Sequence, residues 1–145
     1  MKRPRPPVPS LPATSGYSRT PLLKKLGVKE GSRIALMDAP NGFAESLPAL
    51  PMDATLKRSG NAEPDVIVWF IMSSDELGSL GVVMNRMPAD GGMLWVAWPK
   101  KSSKIATDLT EDVIRGAALR AGLVDTKVCA IDETWSGLRL SRRKA

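Results

Sequence analysis

A chain of 145 residues, 43 % of them hydrophobic, fits one globular domain with a sizeable core. Its single cysteine, Cys129, excludes an internal disulfide, and the absence of histidine excludes His-ligated zinc and Ser–His or Cys–His nucleophile pairs. The formal charge of +6 lies at the ends, in Lys2, Arg3 and Arg5 and in Arg139, Arg142, Arg143 and Lys144; with these set aside, 14 basic residues face 15 acidic ones.

The opening MKRPRPPVPSLP carries five prolines in twelve residues and cannot pack a core, so residues 1–15 read as a disordered Pro/Arg-rich arm. It holds no apolar stretch resembling a signal peptide, and the longest apolar run, Val66 to Met72, is too short to cross a bilayer. A cytoplasmic location is the expectation. Next, Thr20 suits a helix N-cap, Pro21 the first helical position and Gly27 the stop. RIALM (33–37) reads as a strand closed by the turn DAPNG, and FAESL as at most a turn or two of helix. DATLK (53–57) is a weak strand, whereas DVIVWFI (65–71) has the two-faced apolarity of a central parallel strand.

Ser73 and Glu76 have capping-box spacing ahead of a predicted helix over SSDELGSLGVVMNRM, which Gly78 and Gly81 weaken. GMLWVAW (92–98) is a second buried-type strand. TEDVIRGAALRAG reads as a helix with Thr110 as N-cap, acids in its first turn and Gly122 past its end. DTKVCAID and GLRLSRR then form two strands across the turn ETWSG. This order predicts an α/β, three-layer Rossmann-like sheet of about six strands, mostly parallel with an antiparallel C-terminal strand. One domain over 16–141 and a basic tail at 142–145 complete the division.

In such a sheet, ligands bind outside the carboxyl ends of the strands, and three segments share that edge. Asp38, Asn41 and Gly42 follow the first strand, where they either meet a ligand or simply satisfy their own turn. Lys100, Lys101 and Lys104 follow the strand 92–98. They can hold a phosphate or carboxylate, or balance Asp108, Glu111 and Asp112 in a solvated loop. Asp132, Glu133 and Trp135 occupy the final hairpin, where Trp135 either stacks on a flat ligand or pins the hairpin to its neighbour. Asp132 and Glu133, adjacent on a strand, point to opposite faces and make a poor acid–base dyad. Cys129 reads as a structural thiol. Tyr17 and Arg19 precede the first helix and can fold over the edge.

Two blocks, GYSRTPLLKKLGVKEGSRIALMDAPNGF and DGGMLWVAWPKKSSKIATDLTEDVIRGAALRAGLVDTKVCAIDETWSGLRLSRRK, resemble the bacterial domain-of-unknown-function family 3052 from Gly16 onward. The carboxy-terminal half is also similar to that of S-adenosylmethionine-dependent methyltransferases, with a GG-x-L-W-V strand, a helix and a final hairpin in order. That resemblance implies a methyltransferase-like fold and S-adenosylmethionine as a possible cofactor. The sequence departs from it in two places. DAPNGF supplies only Gly42 where a glycine-rich loop belongs, and Lys57 and Arg58 stand where an acid would hold ribose hydroxyls.

Three functions follow. The first is a non-catalytic module binding a small anionic or nucleotide-like ligand at the carboxyl edge. The second is a divergent S-adenosylmethionine-dependent methyltransferase. The third is an interaction protein whose basic ends touch nucleic acid or an acidic partner, weakly and with salt sensitivity, since no aromatic residues interleave the charges.

Overall fold

The computed structural model describes residues 22–57, 63–88 and 91–142. The predicted arm, the N-cap and first-turn assignments of Thr20 and Pro21, and Tyr17, Arg19 and Arg58 lie outside the described residues. Six strands form one sheet: β1 (Arg33–Met37), β2 (Thr55–Lys57), β3 (Val66–Phe70), β4 (Met93–Pro99), β5 (Leu123–Ala130) and β6 (Trp135–Arg142). Their spatial order is β2-β1-β3-β4-β6-β5. β2, β1, β3 and β4 run parallel, and β6 alone is antiparallel to its neighbours β4 and β5. The predicted α/β architecture is therefore the observed one.

Layering follows from residue alternation in the two central strands, both buried on both faces. Ile67, Trp69, Leu94, Val96 and Trp98 point into one core, with Leu80, Val83, Ile114 and Ala118 from the helices α3 (Leu80–Met84) and α4 (Glu111–Arg120). Val66, Val68, Phe70, Trp95 and Ala97 point into the other, beneath α1 (Leu22–Leu26) and α2 (Phe43–Ser46). The indole N–H of Trp95 donates to the carbonyl of Leu26 at 3.0 Å, which ties α1 to the sheet. Gly27 ends α1 at φ 88°, as its composition suggests, and Gly122 follows α4 at the same angle. Thr110 caps α4 by accepting from the amide of Val113 at 3.1 Å.

Three expectations need adjustment. The helix over 73–87 is a 3-10 turn, Ser74–Ser79, followed by the five-residue α3. Glu76 does fold back as its spacing implies, accepting from the amides of Met72 at 2.7 Å and Ser73 at 3.2 Å. With glycine at 78 and 81, however, the segment lacks the propensity to continue one α-helical ladder. β6 begins at Trp135 rather than Gly137, since Pro99 pairs with Trp135 and Ala130 with Ser136. Arg142 belongs to the fold rather than to a tail. Its guanidinium donates to the carbonyls of Met84 at 2.8 Å and Met87 and Pro88 at 3.3 Å, satisfying acceptors at and just past the end of α3. No helix among the described residues is long and apolar enough to cross a membrane.

Candidate functional site

The chain runs outward from β1 to β2 on one side of the sheet and from β3 to β4 on the other. The point where the winding reverses is therefore the crevice between the carboxyl ends of β1 and β3. Beside it lies a cavity of about 200 Å³ lined by Leu36, Asp38, Ala39, Pro40, Asn41 and Ala44. Asp38 and Asn41, both exposed, stand at its rim. Asp38 adopts φ 57°, a left-handed conformation that Asp tolerates better than most residues, and Gly42 takes φ 86° to start α2. The amide of Phe43 closes the loop onto the carbonyl of Pro40 at 3.0 Å. DAPNG is thus both a closed turn and the wall of a cavity.

The other two predicted segments share this edge but not this cavity. β3 separates β1 from β4, and the cavity lining includes none of the lysines or hairpin residues. The lysine loop and the hairpin are joined to each other, because the amide of Lys100 donates to the carbonyl of Thr134 at 2.8 Å. Lys101 and Lys104 are exposed around a short 3-10 turn, Lys101–Ser103, and Lys104 leaves it at φ 62°. The Ser103 hydroxyl donates to the carbonyl of Lys100 at 2.6 Å and accepts from the amide of Ile105 at 3.2 Å, so it braces its own loop.

The acids expected to balance the lysines have other partners. Glu111 and Asp112 pair with Arg115, which also donates to Asp125 at 3.0 Å. Asp108 accepts from the amide of Ser74 at 2.8 Å and from the Ser74 hydroxyl, and these bonds hold its carboxyl below the usual carboxylate range. This pair clasps the loop after β3, as does Thr107, whose hydroxyl donates to the carbonyl of Met72 at 2.7 Å. That loop sits on the crevice itself, and sequence reasoning missed it. The capping-box signal at Ser73 and Glu76 marked a helix start, but only the strand order puts it beside the β1 loop.

At the hairpin, the geometry of Trp135 is the pinning alternative rather than the stacking one, and Asp132 has a local part in the turn. Trp135 is 1 % exposed and packs edge-on against Phe70, so its ring presents no face to a ligand. One carboxylate oxygen of Asp132 accepts from the amides of Thr134 at 2.8 Å and Trp135 at 2.9 Å, which makes it the organiser of the turn. Glu133 is exposed at the hairpin tip. A shallower apolar groove of about 460 Å³ runs between the segment Ser74–Gly81 and α4, with Arg120 on its wall. Among the described residues no group of three or more Cys, Asp or Glu gathers in a metal-holding arrangement.

Comparison with known proteins agrees with this architecture. Solved structures of similar fold include a ribosomal protein L11 methylase from Lactobacillus delbrueckii subsp. bulgaricus, at 13 % identity and a TM-score of 0.55. The match covers 85 % of this chain and 75 % of that one. Fibrillarin from Aeropyrum pernix, in complex with natively bound S-adenosyl-L-methionine, also aligns at 13 % identity and a TM-score of 0.55, over 83 % of this chain and 73 % of that one. The Methanococcus jannaschii fibrillarin pre-rRNA processing protein follows at 12 % identity and a TM-score of 0.57, over 80 % and 69 %. At such identities the likeness is one of fold. No curated protein matches in sequence. A family model described as "Protein of unknown function (DUF3052)" matches residues 53–144, well over half of the chain, and the chain belongs to that family.

Proposed function

We propose that this domain binds a small nucleotide-like ligand with an anionic group at the carboxyl edge of its sheet, and we assign it no reaction. The observation that carries the reading is the cavity on the β1 loop, placed where the winding of the sheet reverses. At about 200 Å³ it suits one ring or sugar, with the rest of the ligand lying across the open edge. Asp38 and Asn41 supply hydrogen-bonding groups at its rim, and Lys100, Lys101 and Lys104 add positive charge farther along the same edge. Thermal shift of the full chain against adenine nucleotides tests it. A ligand at a hundred times its Kd stabilises by about 2.7 kcal/mol, a readily visible rise in Tm. The rise should disappear in the double variant D38A/N41A. Absence of any shift with nucleotides or phosphate esters counts against the reading.

A second reading, a divergent S-adenosylmethionine-dependent methyltransferase, draws support from the strand order and from the methylase and fibrillarin folds. Gly42 as the single glycine of residues 38–42 and Lys57 at the end of β2 weigh against it. Calorimetry with S-adenosylmethionine and its demethylated product decides the matter, and no heat with either removes this reading.

A further inference from the structure

We propose that the face of the sheet beside α1 binds the phosphate backbone of duplex nucleic acid, without reading its sequence, through Lys25, Lys127 and Arg139. This surface lies apart from the cavity on the β1 loop and does not depend on the edge-binding reading. Strand register assembles it. The bond from Trp95 to the carbonyl of Leu26 seats the last turn of α1, which carries Lys24 and Lys25, on β4. Trp95 pairs with Arg139 across β4 and β6, and Arg139 pairs with Lys127 across β6 and β5, so all three side chains share the α1 face. Met93 bridges the end of α1 and Arg139. A Cβ on Gly27 would meet its Cε at 2.7 Å, and its sulfur lies 3.9 Å from Nη1 of Arg139. Burial pushes the Cys129 thiol up while Lys25, Lys127 and Arg139 all pull the other way, which gathers the three around one sulfur.

Among the described residues, none of these three cations forms an ion pair with a carboxylate. Like charges directly opposite each other on paired strands are unfavourable, and a bound anion between Lys127 and Arg139 relieves that repulsion. Arg139 commits Nε to the Thr126 hydroxyl at 2.8 Å, and its Nη2 has no acceptor among the described residues, which suits it to a phosphate oxygen. A membrane surface or an acidic protein would call for apolar anchors as well as charge. The exposed large apolar side chains lie elsewhere. Val82, Val113 and Leu119 sit on α3 and α4 across the sheet, Val128 shares that side through its pairing with Leu138, and Met52 and Met72 belong to loops. All four tryptophans and both phenylalanines are buried, so they offer no ring for stacking on unpaired bases. A duplex backbone calls for neither anchor nor ring. Ahead of α1, residues 1–21 add Lys2, Arg3, Arg5 and Arg19 and no acid.

Fluorescence anisotropy of the full chain with short labelled DNA and RNA duplexes, at about 50 and 200 mM salt, tests this. The wild type should bind at least one duplex, tenfold or more weaker at the higher salt, and a single strand of equal length should bind less tightly. The double variant K25E/K127E should weaken binding at least tenfold at the lower salt and reduce the salt slope by about two. K101E/K104E makes the same charge change on the carboxyl edge and should weaken binding less than threefold. Equal losses in the two variants would reduce the effect to net charge and overturn the proposal. Unaltered binding by K25E/K127E, no binding of either duplex, or tighter binding of the single strand overturns it as well. So does tighter binding to poly-glutamate, or to vesicles of phosphatidylcholine and phosphatidylserine, which would reassign the face to an acidic protein or a membrane. Lys127→Glu sets an acid opposite Arg139, so K25E/K127E should melt no lower than the wild type, and its loss of binding cannot be ascribed to unfolding.

Discussion

Trp135 stands edge-on to Phe70, with ring centroids 5.0 Å apart and planes at 89°, and Phe70 in turn meets Phe43 at 4.9 Å. This aromatic row runs from the start of β6 through the end of β3 to the first residue of α2, underneath the crevice. It joins the hairpin to the helix that follows the β1 loop. Trp135→Ala removes one end of this row, a fully buried ring, and should cost about 3–5 kcal/mol in urea or thermal unfolding. Trp135→Phe should cost clearly less, because an edge contact survives. A ligand stacked on Trp135 would instead make the alanine variant lose affinity with little loss of stability, and that pattern would contradict the buried placement.

Gly137, directly across β6 from Cys129 and Ala97, faces the same core. A Cβ at this position would lie 2.8 Å from Cδ1 of Ile131 and 3.0 Å from Cε3 of Trp95. The isoleucine can rotate away, but the indole is held by its bond to Leu26. Gly137→Ala should therefore destabilise by roughly 1–3 kcal/mol through overpacking. A urea midpoint equal to or above the wild-type value would show that the core has room which the geometry denies.

The parts legible in the sequence were those that local pattern determines. Val66–Phe70 and Met93–Pro99 announce central strands because residues buried on both faces leave no polar alternation. Thr110 and Gly122 bracket α4 because caps satisfy backbone groups within one turn. The rest depended on long-range geometry. Ser74 and Asp108 lie 34 residues apart, and only the fold brings the hydroxyl to the carboxylate. The hairpin was shifted because the Asp132 carboxylate gathers two amides, drawing Trp135 into β6 where composition suggested a turn tip. Neighbouring strands follow from topology rather than chain order. The chain order puts the three edge segments on one edge, but the separation of DAPNG from the lysines by β3 is not legible in it.

Cys129 sits half-buried against the core beneath α1, and burial pushes its thiol up, against the opposing pull of Lys25, Lys127 and Arg139. Since the thiolate is the reactive form, alkylation at pH 7.5 should run several-fold slower than for a free small thiol and accelerate in urea. Replacing Lys127 with Ala should slow it further by removing a cation that favours the thiolate. A native rate matching the free thiol would mean that the site opens readily.

Asp108 connects stability to the crevice through acid titration. Its folded carboxyl lies below the ordinary value because the Ser74 hydroxyl and amide favour the ionised form. A depressed folded value means that the stabilisation is complete above the unfolded pKa, near 3.9. It is lost as pH falls through the folded value. Asp125, lowered chiefly by its hydrogen bond from Arg115, acts in the same direction. The wild type should thus unfold more readily as pH drops below about 4. Asp108→Asn should lower Tm at pH 7 and flatten that acid limb without abolishing it, since Asp125 remains. Ser74→Ala should flatten it similarly, and in the double variant the two effects should fall short of additive. Hydrogen exchange at Ser74, whose amide donates to Asp108, should quicken in Asp108→Asn. An unchanged exchange rate together with an unchanged acid limb would show that the clasp does not hold the β3 loop.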